Sequence, residues 1–177
     1  MLQKDNRYRA LQLFFNDPAP QGGGFQLREI SRSVNIAPPS VKKYLVELEA
    51  DKLIVRQKHR IYGYPTYFAN KDGEDFRFLK KIDTMQRINE SGLLGYLTEA
   101  CAPDVVILFG SSSRGEDGKE SEVNIFLQCE PVKLNVGKYE KELGRKINPV
   151  FGKIQELKEL RNEIMNGSIL KGYVKVF

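Results

Sequence analysis

The stretch ILFGSSSRGEDGKESEVNIFL, residues 107–127, places a Gly-Ser turn and a polar segment between two apolar runs. The first run completes the apolar segment 105–109 and the second continues to residue 129, and each predicts a buried strand. Gly110 and Ser111 predict a tight turn into a short helical segment between them. The stretch therefore predicts a strand, a turn, a helix and a second strand in one compact unit.

This order resembles minimal nucleotidyltransferases of the DNA polymerase β type. That family has Gly-Ser, then Arg-Gly, then Asp-x-Asp at the start of the following strand. The matching positions here are Gly110-Ser111, Arg114-Gly115 and Glu122-Val123-Asn124. The resemblance implies that Gly110, Ser111 and Arg114 are the remnant of a nucleotide site, where backbone N–H groups and the serine hydroxyl would bind phosphate oxygens.

Three positions of this family hold carboxylates that bind divalent metal, and the third lies on a later strand. This chain has Glu122, Asn124 and, in LGRKINPVF at 143–151, Asn148. Mg²⁺ requires hard oxygen ligands at about 2.0–2.1 Å, but Glu122 carries an extra methylene and the two asparagines carry no charge. A misplacement of about 1 Å already costs on the order of 100-fold in rate. The resemblance therefore implies a degenerate site without a catalytic residue, metal or cofactor.

Residues 27–50 predict two short helices joined by a tight turn. Asn35 breaks the first helix, and Pro38 and Pro39 fit only the first turn of the second. An earlier helix is predicted to end at Asp17-Pro18. The apolar residues at helical spacing are, helix by helix, Tyr8, Leu11, Phe14 and Phe15; Leu27, Ile30 and Val34; and Val41, Tyr44, Leu45 and Leu48.

A β-hairpin is predicted next, by LIVRQKHRIYGYPTYFAN at 53–70, with strands at 53–57 and 66–69 and a basic turn at 58–63. Two helices joined by a tight turn and followed by a hairpin resemble a winged helix-turn-helix domain, whose second helix enters the major groove of DNA. Lys52 stands where such domains often carry glycine. The DNA-binding residues that the resemblance implies are Ser40, Lys42 and Lys43 on the second helix and Arg56, Lys58, His59 and Arg60 on the wing.

The charge distribution supports a polyanionic partner for the N-terminal half. Residues 1–89 carry 16 Lys or Arg against 10 Asp or Glu, a net +6, and residues 90–177 carry 12 against 13, a net −1. Double-stranded DNA is therefore the expected partner. Winged helices also serve as protein-interaction or dimer modules, so a protein partner stays open.

The predicted domains are a winged helix-turn-helix domain at 1–70, a helical connector at 71–102 and a nucleotidyltransferase-like domain at 103–177. Apolar residues across 76–88 predict one long connector helix, and a second helix is predicted at 91–100 with Ser91 as its cap. The long helix either pairs with a second copy in a homodimer or packs on its own chain. The tail predicts a helix to about Met165 and a terminal strand at 169–177. The expected fold class is α+β, with a mixed sheet in the small nucleotidyltransferase-like α/β domain.

A cytoplasmic protein without membrane association is expected. No apolar run approaches the roughly 20 residues that a membrane span needs, and the start MLQKDNRYRA lacks the apolar core of a signal peptide. Cys101 and Cys129 share no metal-ligand spacing and are expected to be buried free thiols. His59 is the only histidine, which favours a position on the wing tip over a metal ligand.

Together these features predict a DNA-binding transcriptional regulator whose nucleotidyltransferase-like domain is inactive and acts as a scaffold, sensor or partner-binding module. The segment Gly-Arg-x-Ile-Asn-Pro-Val at 144–150 is similar to one in proteins that join a winged helix to such a domain, which are described as predicted transcriptional regulators. An alternative is an active Mg²⁺-dependent nucleotidyltransferase that uses a nucleoside triphosphate to modify a protein or small molecule, with Glu122 as the remaining metal ligand. A third hypothesis is an interaction module with a fixed protein partner and no affinity for DNA.

Overall fold

The computed structural model describes residues 5–20 and 23–174. The chain is a mixture of helices and strands and divides into two compact units, Met1–Lys80 and Lys81–Phe177. The boundary lies inside one helix, in the stretch predicted as a connector. Among the described residues, no helix combines the length and the apolar character that crossing a membrane requires.

The first unit is built from helices and a two-stranded hairpin. Its elements are α1 (Asn6–Asn16), α2 (Leu27–Val34), α3 (Pro38–Ala50), β1 (Ile54–Lys58) and β2 (Pro65–Ala69), followed by the start of α4 (Glu74–Glu90). The predicted apolar faces of the first three helices pack with the hairpin and the start of α4 in one core. Tyr8, Leu27 and Tyr44 are half-buried, and the other predicted face residues are buried.

Local residues set the ends of these helices, and the signals at Asn35 and at the two prolines act as predicted. Helix α1 begins after Asp5, whose carboxylate accepts the backbone N–H of Arg7 at 2.7 Å. Helix α2 ends at Asn35, which lies in the left-handed region with φ 53°. Helix α3 opens with the two prolines, at positions where a missing N–H has no helical partner to lose.

The hairpin exposes most of one strand and buries most of the other. Strands β1 and β2 pair antiparallel, from Ile54 opposite Ala69 to Lys58 opposite Pro65, each within one residue of the predicted bounds. Only Ile54 is buried in β1, whereas β2 buries three of its five residues. The hairpin therefore packs mainly through β2 and presents β1 to solvent.

Between α3 and β1 the chain reverses at Lys52, whose φ is 57°. The N–H of Lys52 donates to the Glu49 carbonyl at 3.0 Å, and the N–H of Leu53 donates to the Leu48 carbonyl at 2.9 Å. These are the paired bonds of a Schellman motif, which favours glycine at the left-handed position. A residue with a Cβ pays about 1 kcal/mol there. Lys52 is therefore strained, which accounts for the glycine expected at this position.

The second unit contains a four-stranded mixed sheet, as predicted. After α4 its elements are α5 (Leu93–Cys101), β3 (Val105–Phe109), α6 (Ser111–Arg114), β4 (Val123–Leu127), α7 (Gly137–Leu143), β5 (Ile147–Phe151), α8 (Arg161–Met165) and β6 (Ser168–Gly172). The strand order is β5-β4-β3-β6, and only β4 and β5 are parallel neighbours. The end of α4, α5 and α7 pack on one face, and the 154–164 segment packs on the other.

The tail differs from its prediction. Only α8 is helical, and residues 153–160 form turns, so the helix predicted to run continuously to Met165 is wrong. Backbone N–H groups there, those of Glu156 and Leu160, donate to the carbonyl three residues earlier. Apolar residues at three-residue spacing suit such tight turns. Those packed in the cluster on this face are Ile154, Leu157 and Leu160.

Three smaller boundaries also differ. Helix α5 begins at Leu93, and its cap is Gly92 in the left-handed region (φ 77°) rather than Ser91. The Ser91 hydroxyl still accepts the N–H of Leu93 at 3.3 Å. Strand β4 ends two residues before its predicted end at 129. The predicted terminal strand is β6, and residues 175–177 of that prediction lie outside the described residues.

The two cysteines are free thiols, as predicted, but they are half-buried rather than buried. Both pack against the same apolar cluster. Burial and a hydrogen bond with the Cys101 thiol raise the pKa of Cys129 to about 12. The Cys129 thiol is therefore protonated at neutral pH.

Lys52→Gly should stabilise the protein by about 0.5–1 kcal/mol, because glycine removes the strain of the left-handed backbone. Urea unfolding followed by circular dichroism measures the change. Lys52→Ala is the matched control, since it removes the charge and keeps the Cβ, and its stability should not rise. An equal gain from both substitutions would assign the effect to charge instead of backbone strain.

Candidate functional site

The first candidate surface lies on α3. Lys42 and Lys43 are exposed and Ser40 is half-buried, away from the apolar stripe that packs into the core. The Lys43 ammonium lies 4.0 Å from Oε1 of Glu47, and the other carboxylate oxygen of Glu47 lies 3.5 Å from Arg7 Nε. Because an exposed pair at this distance is weak, Lys43 stays accessible to another anion.

The second candidate surface lies on the hairpin. Arg56, Lys58 and Arg60 are exposed, as predicted for phosphate contacts. Arg56 lies opposite Tyr67 in the strand register. Burial raises the pKa of Tyr67, and the nearby Arg56 charge partly offsets that effect. Arg56 is thus engaged within the hairpin, whereas Lys58 and Arg60 extend toward its tip.

His59 organises the hairpin tip. Its Nδ1 accepts the backbone N–H groups of Ile61 and Tyr62, each at 3.3 Å. Its ring stacks on Tyr62 and Tyr64, with centroid distances of 5.2 and 4.6 Å. This structural role was not predicted from the sequence, although the aromatic residues on both sides of Gly63 are a signal for it. Nothing near His59 in the described residues forms a metal-binding cluster.

The structure places these two sets of cations on separate elements of the first unit. Helix α3 leads through the turn at Lys52 directly into β1, and both elements share one core. Across residues 5–20 and 23–174, no hydrogen bond or ion pair joins the α3 set to the hairpin set. They are therefore two cationic patches held by one scaffold.

In the second unit, Gly110 forms the turn that the sequence predicted. Its backbone angles, φ 74° and ψ −157°, lie in a region that essentially only glycine occupies. A Cβ at this position would come within 3.0 Å of Asn124 Nδ2. Both the backbone conformation and the close approach of Asn124 therefore require glycine here.

The structure brings Gly110, Asn124 and Asn148 together. Asn124 and Asn148 are register partners on the parallel strands β4 and β5. The Nδ2 of Asn148 donates to the Oδ1 of Asn124 at 2.9 Å. Glu122 is exposed and lies just before β4, two residues before Asn124. Two of the three predicted metal-site positions, Asn124 and Asn148, are thus adjacent in the sheet.

The residues at these positions do not fit a divalent metal of the Mg²⁺ class. Such an ion requires several hard oxygen ligands, usually with carboxylate charge. Here two of the three positions are amides bonded to each other, which occupies one amide oxygen whichever asparagine donates. Within the part of the chain that the structure describes, no three His, Cys, Asp or Glu side chains form a metal-binding group.

The remaining nucleotide-site candidates are Arg114, which is paired with another residue of the chain, and Ser111, which is half-buried. Arg114 makes an ion pair with Glu116 through Nε, at 2.7 Å. Ser111 is half-buried at the first position of α6, and the buried Ser113 donates its hydroxyl proton to the Gly110 carbonyl at 2.8 Å. In this turn the Arg114 side chain is therefore paired with the carboxylate of a neighbouring residue, Glu116.

Arg145 is the residue that sequence reasoning missed. Its Nη1 lies 2.8 Å from Asp117 Oδ2, and its Nη2 donates to Ser112 Oγ at 2.8 Å. Its Nε donates to the carbonyl of Ser121 at 2.9 Å, and Nη2 also reaches the carbonyl of Glu122 at 3.4 Å. The signal was the Gly-Arg-x-Ile-Asn-Pro-Val segment, in which this arginine lies two residues before the first residue of β5.

The Arg145–Asp117 pair is nearly buried, with side-chain exposures of 13% and 2%. Burial lowers the pKa of the Arg145 guanidinium, and the Asp117 charge opposes that shift. We call Arg145 and its partners Ser112, Asp117, Ser121 and Glu122 the arginine clamp. The clamp joins the turn between β3 and β4 to the start of β5.

Comparisons of the chain with protein-family models, with curated proteins and with solved structures give no match. Its function is therefore inferred from the side chains described above.

Arg145→Ala should destabilise the protein by roughly 3–5 kcal/mol, because it removes the cation of a nearly buried ion pair together with its hydrogen bonds to Ser112 and two backbone carbonyls. Chemical denaturation followed by circular dichroism measures the loss. The neighbouring Lys146 is the control: it is exposed and pairs with Glu140, so Lys146→Ala should cost less than about 1 kcal/mol. Similar losses from the two variants would contradict the structural role of the clamp.

Proposed function

We propose that the protein is a DNA-binding transcriptional regulator, in which a winged helix-turn-helix unit binds duplex DNA and a nucleotidyltransferase-like unit does not catalyse nucleotide transfer. The second unit then serves as a scaffold, sensor or partner-binding module. Two features of the chain carry the proposal. The first unit exposes cations on α3 and on the hairpin. In the second unit, two metal-site positions hold asparagines that are hydrogen-bonded to each other.

The first unit supports the DNA-binding half. Helix α2, the turn at Asn35 and helix α3 are followed directly by a hairpin, which is the element order of a winged domain. The major groove of DNA is wide enough to accept a helix such as α3. Lys42 and Lys43 would then face the groove or its edges, while Lys58 and Arg60 would neutralise phosphates.

The second unit supports the inactive half. An active metal site would place acceptor oxygens of two or three carboxylates toward the same ion. Asn124 and Asn148 instead satisfy each other, and a neutral amide attracts a dication far less than a carboxylate does. The Gly110 turn and the strand order support descent from a nucleotide-binding fold, while the side chains support loss of the metal.

The double variant Lys58→Ala/Arg60→Ala should weaken binding to a random-sequence duplex and reduce its salt dependence, because these two cations are the proposed phosphate contacts. Each lost phosphate contact reduces the magnitude of the negative slope of log K against log salt by about 0.9. The magnitude of the slope should therefore decrease by between about 1 and 2. Fluorescence anisotropy across a salt series measures both quantities.

Lys133→Ala is the control for this experiment, because Lys133 is an exposed lysine of the second unit. Its affinity and salt slope should match those of the wild type. The DNA-binding proposal fails if wild-type binding does not depend on salt, or if the control loses as much affinity as the double variant.

Wild-type protein should show no metal-dependent binding of ATP or GTP, because its metal-site positions hold one carboxylate. Asn124→Asp/Asn148→Asp restores two carboxylates at neighbouring positions of β4 and β5 and is expected to bind nucleotide with Mg²⁺ or Mn²⁺. Isothermal titration calorimetry of both proteins measures this difference.

The informative control is the same titration without metal, in which neither protein should release heat. Robust Mg²⁺-dependent transfer of a labelled nucleotide by the wild type would overturn the inactive half and favour the active enzyme. DNA binding would remain a separate result, since it depends on the other unit.

A further inference from the structure

We propose that the hairpin tip is an apolar wedge that enters the minor groove of the bound duplex and unstacks a base step. The inference rests on the proposed DNA binding, which brings the hairpin to a duplex. Its basis is the pair Ile61 and Tyr62, two residues that are 73% and 72% exposed at the tip. Proteins that kink DNA from the minor groove insert apolar side chains, isoleucine among them, between base pairs.

The tip is held rigidly, although it is exposed. The His59 ring accepts both N–H groups of the wedge residues, and the backbone closes the turn with bonds from His59 to Tyr64 (2.8 Å) and from Gly63 to His59 (2.9 Å). Tyr62 and Tyr64 stack with centroids 6.0 Å apart. Tyr64 also accepts a hydrogen bond from Gln26 at 3.2 Å, which ties the tip to the start of α2. A preorganised wedge loses little conformational freedom on insertion.

The charges around the tip favour a polyanion as the occupant. Lys58 and Arg60 precede the wedge in the hairpin turn and are exposed. The whole stretch 52–70 contains no aspartate or glutamate. The minor groove carries a negative potential that attracts such cations, most strongly where it is narrow. Two exposed side chains next to two cations match a groove between phosphate strands in both charge and apolar contact.

The chemistry of the tip also predicts which sequences it prefers. Pyrimidine–purine steps such as TA unstack at the lowest energy. The wedge should therefore bend duplexes that contain a central TA step more than duplexes in which that step is absent. This preference would arise without any hydrogen bond to a base edge.

The test is duplex bending by the full-length protein, measured as energy transfer between dyes at the two ends of a TA-containing duplex. Wild-type protein should raise the transfer, as expected for a kink in the range of about 20–90°. Ile61→Ser should return it to the value of free DNA while the salt slope of binding stays unchanged, because the cations remain. Val55→Ser is the matched control, since Val55 is an exposed apolar residue (39%) of the same hairpin, and it should bend DNA as the wild type does.

The possible results separate this inference from the proposed function. Salt-dependent binding by a wild type that leaves the duplex straight overturns the wedge and leaves DNA binding intact. Absence of duplex binding overturns both proposals. The wedge is also rejected if Val55→Ser loses bending as Ile61→Ser does. It is likewise rejected if the tip binds anionic lipid vesicles through Ile61 while the duplex stays straight.

Discussion

The buried guanidinium of Arg145 holds the architecture of the second unit in place. It joins the turn after β3 to the start of β5 through Asp117, Ser112 and two backbone carbonyls. A planar guanidinium has five N–H donors in a fixed fork, so it can satisfy several acceptors at once, whereas a lysine ammonium has three donors at one point. The Arg145 cation therefore links the turn between β3 and β4 to the start of β5.

The two units use charge in different ways. In the second unit the central cation is buried, paired and structural. In the first unit Lys42, Lys58 and Arg60 are exposed, and a separate apolar core supports their elements. Exposed cations contribute little to folding stability, so they remain available for an external anion. The first unit is therefore basic, whereas the second unit is nearly neutral.

Much of the fold was predictable from local signals. Asn35 and the paired prolines gave the helix boundaries, and the apolar run at 105–109 gave the central strand, because turn chemistry and burial act over a few residues. The tail was not predictable in the same way, because apolar residues at three-residue spacing fit both a helix and successive tight turns. In the folded chain this segment forms turns whose apolar residues pack against the sheet. The clamp was also missed, since the ion pair of Arg145 joins residues 28 positions apart.

Sequence alone determined the candidate positions: Gly110 at the turn, and Glu122, Asn124 and Asn148 where the resembling family has carboxylates. Tertiary structure decided their relationships. Parallel pairing of β4 and β5 sets Asn124 against Asn148, so two uncharged substitutions become one hydrogen-bonded pair. Likewise, the sequence predicted a basic hairpin, and only the folded turn placed His59 beneath Ile61 and Tyr62. The physical reason is the same in both cases. The chemistry of a side chain can be read from the sequence, whereas the residues that it contacts depend on strand register and on where the chain reverses.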